Sequence, residues 1–241
     1  MSDFSVLNES SLHNYLKLYY ARKFNGKTEV ELYGHIYDVL TEDKEVYEIQ
    51  TQNLSKLRRK IEDTLEKGLK ITLVYPLVVK RKIAKITKDN KEKSLRTSPV
   101  KGSIYDIFKE ITGIYDLLLR QGFKLEVLYV NITEERIITE EAVQSKNRQR
   151  RYRKNWLKAN KRLNEITERK IFSCKGDYLS LLPPGLEKEF SAKDIKEALK
   201  ENKLAPARIY NNSNLIVWVL NKMGLIIQTK TEKRSRFYKI I

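Results

Sequence analysis

Apolar and polar positions alternate in two short stretches near the start of the chain, and this period of two predicts β-strands over 34–40 and 46–51. A short charged turn joins the two stretches. Because side chains alternate along a strand, Glu48 and Gln50 share one face of the second strand. Pairing of the two strands would bring Asp38 of the first strand close to Glu48.

A helix and two further strands are predicted after this pair. Apolar residues at helical spacing indicate a helix over 54–65, which ends at Gly68 as many helices end at a glycine. A buried strand follows over 70–77, closed by Pro76, and another over 78–86. The order of strand, strand, helix and strand is typical of parallel strands linked by a right-handed helical crossover.

The first helix of the chain is predicted from an apolar stripe, which consists of Leu12, Tyr15, Leu16, Tyr19 and Tyr20. Glu9, His13 and Lys17 recur every four residues and predict a separate polar stripe. His13 is interpreted as a surface or packing residue rather than a metal ligand. His35 has no companion histidine or cysteine at ligand spacing and is interpreted as structural.

The middle of the chain predicts an extension of the same domain. Residues 88–101 are polar and predict a loop, whereas 104–120 carry apolar residues at helical spacing. A strand is expected over 125–130. Residues 145–170 form the strongest basic run, interpreted as a phosphate-contacting linker with a helix from about Asn160.

The last third predicts a separate module after the proline-rich segment 181–185. Ser191 with Asp194 three positions later indicates a capped helix. Pro206 suits the first turn of a second helix, and Gly224 ends that helix. Two apolar runs at the carboxyl end then predict a hairpin. Two helices followed by a two-stranded wing resemble a winged helix-turn-helix, an α+β domain that binds DNA or proteins.

Asp38, Glu48 and Gln50 are the candidates for chemistry. Two carboxylates and an amide oxygen on one patch make an oxygen-only site, which suits Mg²⁺ or Mn²⁺. Such an ion activates water and stabilises the transition state of phosphoryl transfer. The alternative is that these acids are solvated residues at the end of a hairpin.

These residues resemble the signature of the PD-(D/E)xK nuclease superfamily, an acid in one strand and an acid-x-Lys in the next. Asp38 and Glu48-Ile49-Gln50 match it, with Gln50 in the place of lysine. The resemblance implies an α/β fold, a restriction-endonuclease-like mixed sheet flanked by helices. It also implies a metal held by Asp38, Glu48 and the Ile49 carbonyl. A Glu on the first helix often joins this site, which makes Glu9 a candidate, with Glu29 and Glu31 as competitors.

Four segments of the chain also resemble a prokaryotic family with a PD-(D/E)xK-like domain and a C-terminal helical domain. They cover 8–13, 47–51, 96–99 and 150–153. This resemblance implies the architecture and no substrate. The expected domains are a nuclease-like domain over 1–144, a basic helical linker over 145–180 and a winged-helix-like domain over 181–241.

Charge points to a nucleic acid as the partner. The chain has 48 basic and 31 acidic side chains among 241 residues, a net charge of +17. Basic grooves bind phosphates by releasing counterions. One cysteine, Cys174, excludes an internal disulfide and a cysteine-based zinc cluster. The sequence predicts neither a membrane span nor a signal peptide, so a cytoplasmic protein is expected.

The residues expected to contact DNA lie in three places: on the helix after the carboxylates, in the basic run and in the winged-helix-like module. They are Lys56, Lys60, Arg150, Arg151, Arg153, Lys154, Arg208, Asn211, Lys233, Arg234 and Arg236. Lysines on the helix would stabilise charge on the phosphate, and the arginines would bind phosphates in a bidentate way.

The sequence therefore predicts a metal-dependent DNA endonuclease with its own DNA-binding module. The alternative is a non-catalytic DNA-binding or regulatory protein, because Gln50 cannot act as a base. RNA stays open as a substrate, and a homodimer stays open as an assembly.

Overall fold

A mixed β-sheet of seven strands forms the body of the computed structural model, which describes residues 11–87, 89, 91–145, 148 and 150–241. The spatial order is β1-β2-β3-β4-β6-β7, and β5 pairs with β4. The strands are β1 (Gly26–Leu32), β2 (His35–Thr41), β3 (Glu45–Ile49), β4 (Lys70–Ile86), β5 (Glu92–Thr97), β6 (Phe123–Val143) and β7 (Lys154–Phe172).

The first hairpin and the crossover confirm the sequence predictions. β2 and β3 pair antiparallel, and β3 then pairs with β4 in parallel. The connection between β3 and β4 contains a 3-10 turn (Leu54–Leu57) and helix α2 (Arg58–Glu66). Gly68 follows with a φ of 74°, a left-handed conformation that glycine adopts without strain.

Three predicted boundaries are wrong because pairing between long strands overrides local signals. Strand β4 continues through Pro76, so 70–77 and 78–86 form one strand. The expected loop over 88–101 contains β5, which lies against the far half of β4. The expected strand over 125–130 is the first part of the 21-residue β6.

The basic segment differs most from its prediction. No helix begins near Asn160; residues 154–172 form β7 instead, antiparallel to β6 along most of its length. The basic run is therefore largely a strand of the main sheet rather than a linker. The predicted helix over 104–120 is also broken: it contains a 3-10 turn (Ile104–Asp106), the short helix α3 (Ile107–Glu110) and a second 3-10 turn (Ile111–Gly113).

Helices cover both faces of the sheet. Helix α1 (Ser11–Lys23) packs on one face, where Leu16 shares a core with Val74. Helix α2 packs on the other face, where Ile61 shares a core with Leu73. Leu73 and Val74 are adjacent in β4 and point to opposite faces, as the strand period requires. Tyr15, expected in the core, is 54% exposed.

The carboxyl-terminal unit contains a second sheet of three described strands in the order β8-β10-β9. Its elements are β8 (Phe190–Ser191), α5 (Ala192–Glu201), α6 (Ala207–Tyr210), α7 (Ser213–Lys222), β9 (Ile226–Glu232) and β10 (Ser235–Ile240), and a short helix α4 (Lys175–Leu179) precedes them. The predicted cap is confirmed, since the Ser191 side chain accepts from the backbone of Asp194. The single helix expected after Pro206 is instead two, α6 and α7.

The two sheets share one apolar core. Phe108 of the first unit and Ile216 of the second belong to the same buried cluster, and Tyr115 meets Trp218 edge-to-face at 5.6 Å between ring centroids. Among the described helices, none combines the length and the apolar character that crossing a membrane would need.

Candidate functional site

Asp38 and Glu48 lie side by side where β2 meets β3. The pairs Val39 with Tyr47 and Leu40 with Val46 set the register, which places Asp38 opposite Glu48. The backbone amide of Asp38 donates to Oε1 of Glu48 at 3.0 Å, and the amide of Ile49 donates to Oδ2 of Asp38 at 2.8 Å. The predicted approach of the two carboxylates is therefore confirmed, and the backbone of each strand fixes the acid of the other.

A basic side chain from each flanking helix contacts one of these carboxylates. Lys60 of α2 places its Nζ 2.5 Å from Oε1 of Glu48 and donates to the carbonyl oxygen of Ile36 at 2.5 Å. His13 of α1 places Nε2 3.3 Å from Oδ2 of Asp38. His13 was interpreted from the sequence as a surface or packing residue rather than a metal ligand, and that interpretation did not include its contact with Asp38. Its four-residue spacing from Lys17 was the sequence signal that it belongs to a polar stripe of α1.

The two carboxylates differ in their proton affinity. Burial of Glu48 and then the negative charge of Asp38 raise its pKa to about 7, although Lys60 opposes this shift. Burial also acts to raise the pKa of Asp38, but the hydrogen bond and charge of His13, with the Ile49 amide, outweigh it and hold that pKa below its usual value. Asp38 is therefore the carboxylate that stays ionised, and Glu48 is the one whose pKa lies near neutrality.

The donor set suits a hard cation. Within the described residues, hydrogen bonds and ion pairs engage Oδ2 of Asp38 and Oε1 of Glu48, which leaves Oδ1 and Oε2 for a ligand. The described part of the chain holds no group of three or more histidine, cysteine or acidic side chains arranged around a metal position. Two carboxylates with a main-chain carbonyl still match the oxygen ligands that Mg²⁺ takes alongside waters and substrate phosphates.

The other candidates for this site have different described partners or lie outside the described residues. Glu9 lies outside them. Glu29 of β1 lies opposite Asp38 by the register of the flanking strand pairs, but its side chain is 66% exposed and forms an ion pair with Lys17 at 2.7 Å. The amide nitrogen of Gln50 donates to the carbonyl of Gln52 at 2.7 Å, so this side chain folds back on its own loop.

The candidate phosphate contacts on the main sheet adopt different arrangements. Lys56 is exposed on the 3-10 turn before α2. The Arg150 guanidinium lies 3.8 Å from the ring centroid of Trp156, and Arg151 lies 5.2 Å from that of Tyr152. Arg153 and Lys154 are exposed at the start of β7.

The candidates in the carboxyl-terminal unit separate into two groups. Arg208 forms an ion pair with Asp106 and donates to the carbonyl of Lys101, so it ties α6 to the main domain. Asn211, Arg234 and Arg236 instead line a polar cavity of about 670 Å³ between α5, α7 and the hairpin. Lys233 lies at the hairpin tip and is exposed.

Comparison with known proteins gives a family and no activity. A relative in Treponema pallidum (strain Nichols), described as an uncharacterized protein, is 29% identical over 193 residues, which are 80% of this chain and 73% of the relative. No solved structure matches the chain. A family profile described as a domain of unknown function (DUF8091) matches residues 10–173, which span α1 through β7. The chain therefore belongs to the DUF8091 family, whose domain coincides with the main sheet and its helices.

Proposed function

We propose that this protein is a metal-dependent endonuclease that hydrolyses phosphodiester bonds of DNA. The observation that carries the proposal is the paired carboxylates of Asp38 and Glu48, held by reciprocal backbone hydrogen bonds beside the Lys60 ammonium. A buried and a half-buried acid facing a polyanion would repel it unless a cation lay between them. The fold supports the proposal, because the order of hairpin, helical crossover and parallel strand agrees with a restriction-endonuclease-like sheet.

Asp38, Glu48 and the main-chain carbonyl of Ile49 would hold Mg²⁺ or Mn²⁺. When bound, the ion would supply activation of a water nucleophile and neutralisation of charge on the scissile phosphate. Glu48 would bind the ion as a carboxylate anion. Because its pKa is about 7, it is fully ionised only above neutral pH. The role of Asp38 is to remain ionised and to orient the Ile49 peptide through its contact with that amide.

Lys60 is the residue we assign to the role that lysine has in the superfamily signature. Gln50 cannot take or give a proton, and its amide bonds to Gln52. Lys60 comes from α2 rather than from β3, yet its Nζ reaches Glu48 at 2.5 Å. From there it can contact a phosphate oxygen or the attacking water. His13 on the opposite side of the pair holds Asp38 in place and supplies a second proton-bearing group.

The carboxyl-terminal unit would bind the DNA as a winged helix. Its order of strand, three helices and two-stranded hairpin supports this role because it resembles the order in winged-helix domains, with α7 proposed as the recognition helix. The cavity beside α7 supports this role, because it combines amide side chains with cations from α5 and the hairpin. These residues are Lys193, Lys196, Asn211, Asn214, Asn221, Arg234 and Arg236.

Cleavage of DNA tests the proposal directly. Supercoiled plasmid, linear duplex and branched DNA are incubated with Mg²⁺ or Mn²⁺ and the wild type, Glu48→Ala or Asp43→Ala. Asp43 is an exposed acid in the turn between β2 and β3, so its variant controls for the loss of one negative charge. We expect metal-dependent cutting by the wild type and Asp43→Ala and none by Glu48→Ala. Cutting by Glu48→Ala at the wild-type rate would contradict the assignment.

Gln50 keeps a second function in view, a DNA-binding or regulatory protein on a degenerate nuclease fold. Its side chain turns toward Gln52 instead of the carboxylates, which is the observation that favours this alternative. Such a protein would bind DNA equally well with and without Mg²⁺, and Glu48→Ala would leave that binding unchanged. A nuclease would bind more tightly when Ca²⁺, which supports binding without turnover, is present. A homodimer is compatible with either function.

A further inference from the structure

One buried carboxylate on the far half of the main sheet is surrounded by four cations. Glu134 of β6 lies 2.6 Å from the Arg136 guanidinium, 3.4 Å from the Lys158 ammonium and 3.8 Å from Arg81. Lys161 of β7 stands directly opposite Glu134 in the strand register, and opposite residues of an antiparallel pair share a face. We call these five side chains the Glu134 cluster.

A single carboxylate leaves this cluster with excess positive charge. The Glu134 side chain is 4% exposed, whereas those of Arg81 and Lys158 are 31% and 44% exposed. Burial and then the charges of Lys158 and Arg81 lower the pKa of Lys161 to about 8, against the attraction of Glu134. Crowded cations of this kind are stabilised by an anion that enters from solvent.

The hydrogen-bonding capacity of the cluster is also incomplete. Nε of Arg81 is buried and has no hydrogen-bond partner among the described residues. Arg81 approaches Glu134 through Nη1 at 3.8 Å, which is longer than a hydrogen bond. A guanidinium with unused donors beside an ammonium matches the oxygens of a phosphate, which accept several charge-assisted hydrogen bonds at once.

The first turn of α1 contacts both the strand that carries Lys161 and the paired carboxylates. The Ser11 hydroxyl donates to the carbonyl of Lys161 at 2.7 Å, and its amide donates to the side chain of Asn160 at 3.1 Å. His13 of the same turn reaches Asp38 at 3.3 Å. Ser11 and His13 differ by about 3 Å along the helix axis. The two charged groups therefore lie on either side of one helix end.

We propose that the Glu134 cluster is a binding site for a phosphate group. Glu134 holds the four cations in place without ligand, and the phosphate enters from the side where Arg81 and Lys158 are exposed. Its nucleic-acid source rests on the proposed function: a backbone phosphate of the same DNA whose scissile phosphate lies at Asp38 and Glu48. A free phosphate compound would satisfy the same chemistry.

Trp156 offers a spectroscopic reporter for this site. Its ring lies between two guanidinium groups, those of Arg136 and Arg150, each 3.8 Å from the ring centroid. Arg136 also binds Glu134, so a phosphate that draws Arg136 toward itself changes the environment of the indole. The chain has two tryptophans, and Trp218→Phe leaves Trp156 as the single tryptophan.

In the experiment, Trp156 emission of the Trp218→Phe protein is followed during three titrations. The ligands are pyrophosphate, acetate and a short DNA duplex, the last with EDTA present. Duplex binding is measured in parallel by fluorescence anisotropy of labelled DNA. Lys158→Ala removes one half-exposed cation of the cluster, and Glu134→Gln removes its anion at nearly constant shape. Lys70→Ala, at the exposed start of β4, is the matched control for loss of one positive charge.

We expect pyrophosphate and duplex, but not acetate at the same ionic strength, to shift Trp156 emission in a saturable way. Lys158→Ala should weaken pyrophosphate binding on the order of tenfold, because a charge-assisted contact is lost. Glu134→Gln should tighten it, and Lys70→Ala should leave it unchanged. For the duplex, Lys158→Ala should lower the slope of log affinity against log salt by about 1.

The experiment distinguishes failure of the phosphate site from failure of the proposed nuclease function. Duplex binding by anisotropy with no change in Trp156 emission would overturn the site and leave the function standing. A Trp156 response to pyrophosphate that is the same with and without Lys158→Ala, both in the Trp218→Phe protein, would also overturn the site. A saturable response to pyrophosphate with no duplex binding at any salt concentration would support a site for a free phosphate compound and contradict the nucleic-acid function.

Discussion

Lys60 of α2 and Glu48 of β3, which are separated by eleven residues along the chain, form an ion pair of 2.5 Å. The Glu48 side chain is 5% exposed and that of Lys60 15%, so water screens the pair weakly. The same ammonium lies 4.9 Å from the ring centroid of Tyr37 and binds the carbonyl of Ile36. Lys60 is therefore fixed from three directions beside the paired carboxylates.

The first prediction is that Lys60→Met lowers DNA cleavage by about 100-fold, the usual effect of losing one group that stabilises transition-state charge. Methionine keeps the length of the side chain but not its charge. Initial rates of plasmid nicking in Mg²⁺ measure the effect. Lys67→Met, at the end of the same helix, is the control and should cut normally. Wild-type rates in Lys60→Met would remove Lys60 from the chemistry.

The second prediction concerns metal binding and pH. Burial and the charge of Asp38 raise the pKa of Glu48 to about 7, so a proton competes with the metal for this carboxylate below neutrality. Affinity for Mn²⁺ should rise from pH 6 to pH 8 and level off above that range. Isothermal titration calorimetry at several pH values measures it. A flat profile, or one that Glu48→Gln reproduces, would show that Glu48 does not bind the ion.

The third prediction concerns stability without metal. The folded-state pKa of Glu48 lies above its ordinary value of 4.5, so the native state holds more protons than the unfolded state between about 4.5 and 7. Ionised Glu48 thus costs stability, and the cost grows as pH rises through this range. The free energy of unfolding of Glu48→Gln minus that of wild type should therefore increase when pH is raised from 5 to 8, by up to about 3 kcal/mol.

Chemical denaturation at the two pH values, with EDTA present, tests this sign. Asp43→Asn is the control, because Asp43 is exposed in the turn. Its stability difference from wild type should be nearly independent of pH. A difference between Glu48→Gln and wild type that stays constant or shrinks from pH 5 to pH 8 would contradict a raised pKa for Glu48.

Local patterns predicted the hairpin and the approach of Asp38 to Glu48, because the register of a two-stranded unit follows from side-chain alternation. They named Lys56 and Lys60 together as lysines that would act on the phosphate, but could not predict which of them contacts Glu48. The contact of Lys60 depends on how α2 packs across the sheet, which the sequence near Lys60 does not encode. His13 likewise depends on the packing of α1 against β2.

The basic segment was predicted wrongly for a physical reason of its own. Charged residues dominate β7, and its local propensity gives little indication of a strand. Its conformation is set by pairing with β6, for example Thr133 with Arg162 and Tyr129 with Glu168. Tertiary pairing of this kind overrides intrinsic preference, since β-propensity depends on the neighbouring strand. Pro76 inside β4 was misread for the same reason.

The fourth prediction separates two arginines of the carboxyl-terminal unit that the sequence placed in one DNA-binding set. Arg208 binds Asp106 and the carbonyl of Lys101, so its donors are already used within the protein. Arg236 lines the cavity beside α7. Arg236→Ala should weaken binding of duplex DNA on the order of tenfold and lower its salt dependence, whereas Arg208→Ala should leave the affinity unchanged.

Arg208→Ala should instead lower stability, because it leaves the partly buried Asp106 carboxylate without its cation. The hydrogen bond from the Ser103 amide to Asp106, which caps the 3-10 turn, would remain. Fluorescence anisotropy with labelled duplex and thermal unfolding of both variants measure the two effects. If Arg208→Ala lost DNA binding while its melting temperature stayed at the wild-type value, α6 rather than the cavity beside α7 would contact the duplex. Loss of stability in Arg208→Ala with full DNA affinity would instead assign the Asp106 contact to the joining of the two units.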